Sequence, residues 1–197
     1  MRLEVLRQIT LRDPTGREAV AQFRRASLAD IPGIEQLIAL SARSLSRDDY
    51  SEEQIEAALG AALGVDSQLV RDGTYFVAET AGKPVACGGW SWRKTLFGGD
   101  GQADREPESL DPHRDAARIR AFFVHPDWAR RGLGRTTLEL CEEEARKSGF
   151  TSAELMATLP GERLYRSCGY VSQNSIQHAL PSGVVIQFVP MHKHFVD

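Results

Sequence analysis

The chain has 197 residues, 42% of them hydrophobic, and a formal net charge of −3, which is enough for one domain with an apolar core. The acidic balance and the lack of a basic block exclude nucleic acid as the main partner, because phosphate backbones require clustered Lys and Arg. No apolar run is long enough for a signal or a membrane span, and Cys87, Cys141 and Cys168 form no C-x-x-C. We therefore expect a cytoplasmic protein with reduced core thiols and no membrane partner.

The N-terminal part of the chain predicts a strand or extension followed by two helices. Residues 1–19 are either an extra strand or a loosely held extension, and we assign the main domain to residues 20–197. The first helix runs to about Ser44 and is preceded by residue types that start helices: Ser27, Asp30 and Pro32. The S-E-E-Q pattern from Ser51 is a capping sequence, so it predicts a second helix.

A β-hairpin is predicted next, formed by Tyr75–Glu79 and Pro84–Arg93 around an Ala-Gly-Lys turn. Trp90 and Trp92 share one face of its second strand, and Phe97 follows. These aromatic rings could receive an aliphatic or cationic ligand. Packing within the sheet is the alternative.

Residues 98–117 form a long segment rich in Gly, Pro and acidic residues. An ordinary hairpin loop would be much shorter, so this segment is either disordered or a lid. Our hypothesis is a lid over a binding site, and deletion of residues 99–111 tests it.

The segment from Arg118 to Gly149 carries the strongest pattern of the chain. Ile119, Ala121 and Phe123 alternate with Arg118, Arg120 and Phe122, which predicts a half-buried strand with the first three side chains on one face. A loop then leads through Gly-Leu-Gly into an amphipathic helix, whose basic last turn and following glycine are typical of a helix end.

The Gly132-Leu133-Gly134 turn predicts an anion site. Glycine lets backbone approach a ligand closely, and the free N–H groups and positive dipole end of the following helix face the same point. Positive charge suited to a polyphosphate brackets the turn: Arg130, Arg131 and Arg135. A dinucleotide-binding fingerprint fits poorly, because Thr137 stands where it requires Gly or Ala, and no nucleotide-hydrolysing P-loop motif occurs.

Two motifs together resemble one known family. V-H-P-D-W-A-R-R-G-L-G-R, followed by a Leu- and Glu-rich helix, resembles motif A of the GCN5-related N-acetyltransferases (GNAT). P-G-E-R-L-Y-R-S-C-G-Y-V, from Pro160 to Val171, is similar to the family's terminal helix and the strand after it. The resemblance covers about residues 20–190. It implies a single α/β domain with a mixed, mainly antiparallel twisted sheet flanked by helices.

The resemblance also implies transfer of an acetyl group from acetyl-CoA to a primary amine of a small molecule or peptide. In the family, backbone groups of one strand contact the pantetheine arm and acetyl carbonyl, and the Gly turn wraps the pyrophosphate. The residues that match are Phe122, Phe123, Val124, Arg130, Arg131, Gly132, Leu133, Gly134 and Arg135. Tyr165 matches the tyrosine that protonates the departing CoA thiolate, although a core tyrosine is the alternative.

Three positions depart from the family pattern. Ala129 replaces a frequent Gln or Arg, and Pro160 replaces a frequent Asn, so a second CoA or substrate contact must come from elsewhere. The usual Leu-Gly-Phe is Cys168-Gly169-Tyr170, which changes packing mildly. None of these changes affects Tyr165.

The general base is left open. No Asp or Glu lies in the strand before the Gly turn, so water could take the proton of the amine. Candidates by reach, none of which we assign, are Glu154, His178, Asp104, Glu106 and Glu108. We expect no metal, since the His192-x-His194 pair has no clustered further ligands.

Two further interpretations stay open. A non-catalytic sensor of acyl-CoA or CoA would keep the Gly turn and use Tyr165 only for packing. The last hairpin, predicted from Ile176–Leu180 and Val184–Met191, could form the edge of a homodimer.

Overall fold

The computed structural model describes residues 4–101 and 108–195. Its strands are β1 (Val5–Arg12), β2 (Glu18–Arg25), β3 (Tyr75–Thr80), β4 (Lys83–Ser91), β5 (Ala117–Val124), β6 (Ser152–Thr158), β7 (Val171–Ser172), β8 (Ile176–Ala179) and β9 (Val185–His194). Its α-helices are α1 (Ile31–Leu45), α2 (Glu52–Ala58), α3 (Ser67–Arg71), α4 (Leu133–Lys147) and α5 (Glu162–Ser167). Short 3-10 turns precede α1 and α4, at Leu28–Asp30 and Pro126–Trp128.

The strands form one mixed sheet in the order β1-β2-β3-β4-β5-β6-β9-β7, and β8 also pairs with β9. Neighbouring strands pair antiparallel, with the exception of the parallel pair β5 and β6. The predicted mixed, mainly antiparallel sheet flanked by helices is confirmed. The two antiparallel halves of the sheet meet at β5 and β6.

The N-terminal residues contribute a strand to this sheet. β1 lies within residues 1–19 and pairs antiparallel with β2 from Val5 to Arg12. Its Arg7 forms ion pairs with Glu139 and Glu143 on α4, at 3.2 and 2.5 Å. The first hairpin is thus joined to the helix that follows the Gly turn.

Helices cover both faces of the sheet. On one face, Leu133, Leu138 and Cys141 of α4 pack into the largest core cluster. On the other face, α1 and α3 cover the centre of the sheet, and α2 packs beside β9. The structure therefore places the Gly turn at the end of a helix that is firmly buried against the sheet.

The structure supports the packing alternative for Trp90 in β4 and for Trp92 just after it. Trp90 is 2% exposed and lies in the core beneath α4. Its ring makes edge contacts with Trp92 and Phe150, at centroid distances of 5.5 and 6.1 Å. Both tryptophans therefore stabilise the face of the sheet opposite to α1.

The predicted helices before the hairpin are present, and one short helix was missed. α2 begins after Ser51, whose hydroxyl accepts from the Gln54 N–H in the predicted capping box. The missed helix α3 is capped by Asp66, whose carboxylate accepts from the Gln68 N–H. At five residues, α3 is too short to produce a helical hydrophobic period in the sequence.

The described parts of segment 98–117 are held against the domain. Gly99 donates to the Ala61 carbonyl at 2.6 Å, and Asp100 donates to the Val65 carbonyl at 2.9 Å. Gly99 allows this close approach, because a Cβ there would lie 2.8 Å from the Gly64 backbone. Leu110, on the far side of residues 102–107, is buried. Asp104 and Glu106 lie outside the described residues, and the lid stays a hypothesis.

Candidate functional site

A bulge interrupts β5 where the sequence predicted regular alternation. Ala121 has a positive φ of 56°, and the register with β4 shifts between Cys87 and Gly89. The Phe122 ring lies over Gly88, where a Cβ would be 2.7 Å from it. The Tyr75 hydroxyl donates to the Ala121 carbonyl at 2.8 Å and holds the bulge. Such bulges redirect side chains and leave backbone groups unpaired.

The bulge corrects the predicted face of three side chains. Ile119 is buried in the cluster beneath α4, as expected for a core position. Ala121 and Phe123 instead pack on the α1 side of the sheet, while Phe122 and Val124 pack with the α4 cluster. The prediction that Ile119, Ala121 and Phe123 share a face is therefore wrong, because the extra residue of the bulge inverts the alternation after Arg120.

A cleft opens between β5 and β6. Parallel pairing of the two strands ends at Ile119, which lies opposite Leu155. Beyond this point lies a cavity of about 550 Å³, lined by Phe122 and Val124 from β5 and by Met156 and Thr158 from β6. This volume is typical of small-molecule sites. The cleft exposes the β5 backbone that the resemblance assigns to the pantetheine arm.

The Gly turn lies at one end of this cavity. Arg130 and Gly132 have positive φ values of 62° and 88°, and Gly132 is the residue before α4. A turn that contains residues in the left-handed conformation points successive backbone N–H groups into one concave site. The first N–H groups of α4, from Leu133 to Arg135, have no partner within the helix. The turn therefore presents backbone donors suited to an anion.

The two glycines of the turn serve different purposes. A Cβ on Gly132 would meet nothing within 4 Å, so its φ is what requires glycine. A Cβ on Gly134 would lie 3.0 Å from the Leu164 side chain and 3.7 Å from Val124. Gly134 therefore also lets α4 pack closely against α5, and it lines the cavity.

The three arginines around the turn are also placed differently. Arg130 and Arg135 line the cavity. The Arg135 guanidinium donates to the carbonyl and the hydroxyl of Ser167, at 3.2 and 3.1 Å. Arg131 contacts the loop that precedes the turn, where its Nε donates to the Asp127 carbonyl at 3.3 Å. Arg130 is exposed and is the arginine best placed to contact a ligand phosphate.

Tyr165, on α5, also lines the cavity. It is 8% exposed, and its ring makes edge contacts with Phe122 and Tyr170, at centroid distances of 6.0 and 5.9 Å. Burial, with smaller contributions from Cys141 and Cys168, raises the pKa of Tyr165 above its ordinary value. The phenol therefore keeps its proton at neutral and moderately alkaline pH, as a proton donor must.

The far end of the cavity was not predicted from the sequence, apart from the aromatic character of Phe97. Leu63, Met156 and Phe188 line it together with Phe97. These residues come from a turn after α2, from β6, from β9 and from the segment after β4. No local motif connects them, so sequence reasoning had no signal for their proximity.

Ser41 on α1 is another cavity residue that sequence reasoning missed. It is 5% exposed, and its hydroxyl accepts from the Val124 N–H at 3.3 Å. A helical serine gives no pattern that indicates a contact with a distant strand. The contact places α1 directly over the β5 backbone that faces the cleft.

None of the described candidates for a general base lines the cavity. Glu154 forms an ion pair with Arg118, and Glu108 forms one with Lys94. His178 packs its ring edge-on against Phe97 at 4.9 Å. In residues 4–101 and 108–195, no Asp or Glu lines the cavity, and no group of three or more His, Cys, Asp or Glu side chains could hold a metal ion.

Solved structures share this fold. A GCN5-related N-acetyltransferase from Rhodopseudomonas palustris is similar with a TM-score of 0.66 and 24% identity, over 88% of this chain and 94% of that chain. The PaiA N-acetyltransferase from Thermoplasma acidophilum, solved in complex with coenzyme A, has a TM-score of 0.57 and 13% identity, over 89% of this chain and 99% of that chain.

YncA from Salmonella typhimurium, solved with its cofactor acetyl-CoA, is similar with a TM-score of 0.58 and 16% identity, over 90% of this chain and 95% of that chain. No curated protein matches the chain in sequence. Within the described residues, no helix combines the length and apolarity needed to cross a membrane.

The family itself is shown by sequence. The model of the acetyltransferase (GNAT) family matches residues 35–170, which include most of α1, the bulged strand, the Gly turn and Tyr165. The predicted resemblance is confirmed by this match and by the shared fold. The chain therefore belongs to the GNAT family of acetyl-CoA-dependent N-acetyltransferases.

Proposed function

We propose that this protein transfers the acetyl group of acetyl-CoA to a primary amine by direct attack. The observation that carries the proposal is that one cavity is lined both by the Gly132 turn and by Tyr165. The proposed anion site and the proposed proton donor thus line the same cavity. Acyl transfer from a CoA thioester requires both.

The proposed cosubstrate lies along the cleft from the turn toward Tyr165. Its pyrophosphate accepts from backbone N–H groups of residues 130–135, with Arg130 adding charge from the cavity side. Its pantetheine arm follows the exposed edge of β5 at Phe122, Phe123 and Val124. The positive φ of Arg130 and Gly132 and the opening of β5 from β6 support this orientation.

The chemistry needs few groups. The amine nitrogen forms a bond to the acetyl carbon, the carbon–sulfur bond breaks, and the thiolate takes the proton of the Tyr165 hydroxyl. Solvent then returns a proton to the phenolate. The raised pKa of Tyr165 supports this role, because the phenol is fully protonated when the thiolate departs.

The amine must lose a proton to attack. No carboxylate lines the described part of the cavity, so we propose that water carries this proton away. Activity then depends on the neutral fraction of the amine itself. The rate should rise with pH toward the pKa of the acceptor, rather than following the titration of a protein carboxylate near pH 4.

Steady-state kinetics test the proposal and separate it from a non-catalytic sensor. Acetyl-CoA and a panel of primary amines are incubated with the protein, and release of the CoA thiol is measured, alongside calorimetric titration of acetyl-CoA. Binding with thiol release that depends on an amine supports the transferase. Binding without thiol release on any amine supports the sensor, and absence of binding contradicts both.

A further inference from the structure

The acceptor end of the cavity has a composition that selects among amines. Resting on the proposed function, we propose that the acceptor is a small primary amine with an uncharged aromatic or branched aliphatic body, bound between Leu63, Phe97 and Phe188. The amine points toward Tyr165, and the body fills the end of the cavity opposite Gly132.

The wall at this end is apolar. Leu63 is 4% exposed and Phe188 is 2% exposed. Met156 and Leu45 extend the same surface from β6 and α1. Burial of an aromatic ring against such a wall is favourable, because it removes apolar area from water.

The charge of the lining disfavours a polycationic acceptor. The charged residues that line the described part of the cavity are arginines: Arg120, Arg130, Arg135 and Arg163. Arg120 is 4% exposed and forms an ion pair with Asp66 at 2.6 Å. A second ammonium group on the acceptor would lose its hydration here, and the described lining contains no carboxylate to pair with it. Moving this charge out of water is therefore costly.

The wall is held in position by contacts behind it. The Phe97 ring lies 4.9 Å from the His178 ring in an edge arrangement and 5.5 Å from the Phe188 ring. The Tyr50 hydroxyl donates to the Gln187 carbonyl at 2.6 Å and accepts from the Leu159 N–H at 2.9 Å. These contacts fix the shape of the pocket before the acceptor binds, which favours one rigid body size.

A peptide N-terminus fits this wall less well than a small amine. A peptide brings further N–H and C=O groups that need hydrogen-bond partners when they leave water. At the proposed acceptor end, the large side chains of the wall are apolar: Leu63, Phe97, Met156 and Phe188. The structure therefore favours a compact acceptor that carries its single polar group at one end.

A kinetic panel tests the inference. At saturating acetyl-CoA, kcat/KM is measured for 2-phenylethylamine, isoamylamine, spermidine and an alanine-initiated tripeptide. We expect kcat/KM for phenylethylamine or isoamylamine to be at least about tenfold higher than kcat/KM for spermidine and for the tripeptide. A higher kcat/KM for spermidine or the tripeptide overturns the acceptor class and leaves the transferase intact. No thiol release with any amine overturns both proposals.

A pair of variants localises the effect. In Phe97→Ala, we expect the KM for phenylethylamine to rise about tenfold, with the Kd of acetyl-CoA within about twofold of wild type. Phe195→Ala is the matched control, because its ring packs at the other face of the sheet under Arg146, at 4.4 Å. An unchanged KM in Phe97→Ala, or an equal rise in the control, overturns the assignment of this wall to the acceptor.

Discussion

The two ends of the cleft are built in different ways. At the proposed cosubstrate end, the candidate site is one run of consecutive residues, 130–135, and its donors are backbone N–H groups in a turn with positive φ at Arg130 and Gly132. At the proposed acceptor end, Leu63, Phe97 and Phe188 are far apart in the chain, and they line the cavity with their side chains. A backbone site is specified by one short motif, whereas a side-chain site can change residue by residue while the fold is kept.

The two ends of the cavity are thus expected to have different roles. The turn can be kept for a fixed cosubstrate, because any acetyl-CoA carries the same pyrophosphate. The apolar wall can vary with the acceptor. Tyr165 also lines the cavity, and its proposed role as an acid would be the same for every acceptor.

The largest effect is expected from substitution of Tyr165. Tyr165→Phe removes the proposed acid, and we expect kcat to fall about 100-fold, as is typical for loss of acid catalysis. The Kd of acetyl-CoA should stay within about twofold, because the ring remains in place. Steady-state kinetics and calorimetry measure both.

Tyr170→Phe is the control for this variant. Its ring lies 5.9 Å from that of Tyr165, but Tyr170 packs in the core beneath α4. We expect an unchanged kcat. A kcat for Tyr165→Phe equal to wild type from pH 6 to pH 9 would remove the acid role.

The next largest effect isolates the backbone of the turn. Gly132→Val places a branched residue at a φ of 88°, in open space, so any effect comes from backbone conformation. We expect the Kd of acetyl-CoA to rise at least about tenfold, corresponding to strain of about 1–2 kcal/mol. Calorimetry measures the affinity.

Gly16→Val provides a matched comparison, because Gly16 has a φ of 87° and also meets nothing within 4 Å of a Cβ, in the turn after β1. Both variants should lose similar unfolding free energy. Only Gly132→Val should lose affinity for acetyl-CoA. Equal affinities in the two variants would show that the turn does not hold the cosubstrate.

A smaller effect distinguishes the arginines at the cosubstrate end. Arg130→Ala should raise the Kd of acetyl-CoA about fivefold at low salt, because its exposed guanidinium lines the cavity. Arg131→Ala should change it less than about twofold, since that side chain contacts Asp127 instead. Calorimetry at two salt concentrations measures both, and the reverse order would show that the ligand phosphates lie outside the cavity.

The smallest effect on cosubstrate binding is expected when the hydrogen bonds behind the wall of the acceptor end are removed. Tyr50→Phe removes the hydroxyl that bridges Gln187 and Leu159. We expect the unfolding free energy to fall by about 1–2 kcal/mol at pH 7, with an unchanged Kd for acetyl-CoA. Urea denaturation measures the first quantity, and a weakened Kd would contradict the independence of the two ends.

The same variant has a defined pH dependence. Burial raises the pKa of Tyr50 to about 12, whereas the unfolded phenol ionises near about 10. The resulting stabilisation is complete below about pH 10 and is lost as pH rises toward 12. The stability difference between wild type and Tyr50→Phe should therefore narrow by about 1 kcal/mol between pH 7 and pH 11. A constant difference would contradict this assignment.

The sequence predicted the elements around the Gly turn well because their signals are local. The Gly turn, the amphipathic helix after it and the helix with Tyr165 are each encoded within a few consecutive residues, and α4 (Leu133–Lys147) lies where the pattern indicated. The bulge at Ala121 was missed because it depends on another strand. Gly88 must lack a Cβ beneath Phe122 for the bulge to pack.

The acceptor end could not be predicted for the same physical reason. Phe97 and Phe188 meet only because β9 inserts beside β6. Sequence reasoning also left open that Trp90 and Trp92 contact a ligand, although their packing beneath α4 explains them. Side-chain proximity across a sheet follows from topology, and topology was not encoded in any single motif.

A crystal structure with bound CoA tests the central claim most directly. We expect the pyrophosphate to lie against the backbone N–H groups of residues 130–135, and the thiol sulfur to lie within hydrogen-bond distance of the Tyr165 hydroxyl. The wall of Leu63, Phe97 and Phe188 should stay free of CoA. A pantetheine arm seated against that wall, or a sulfur remote from Tyr165, would overturn the proposed orientation.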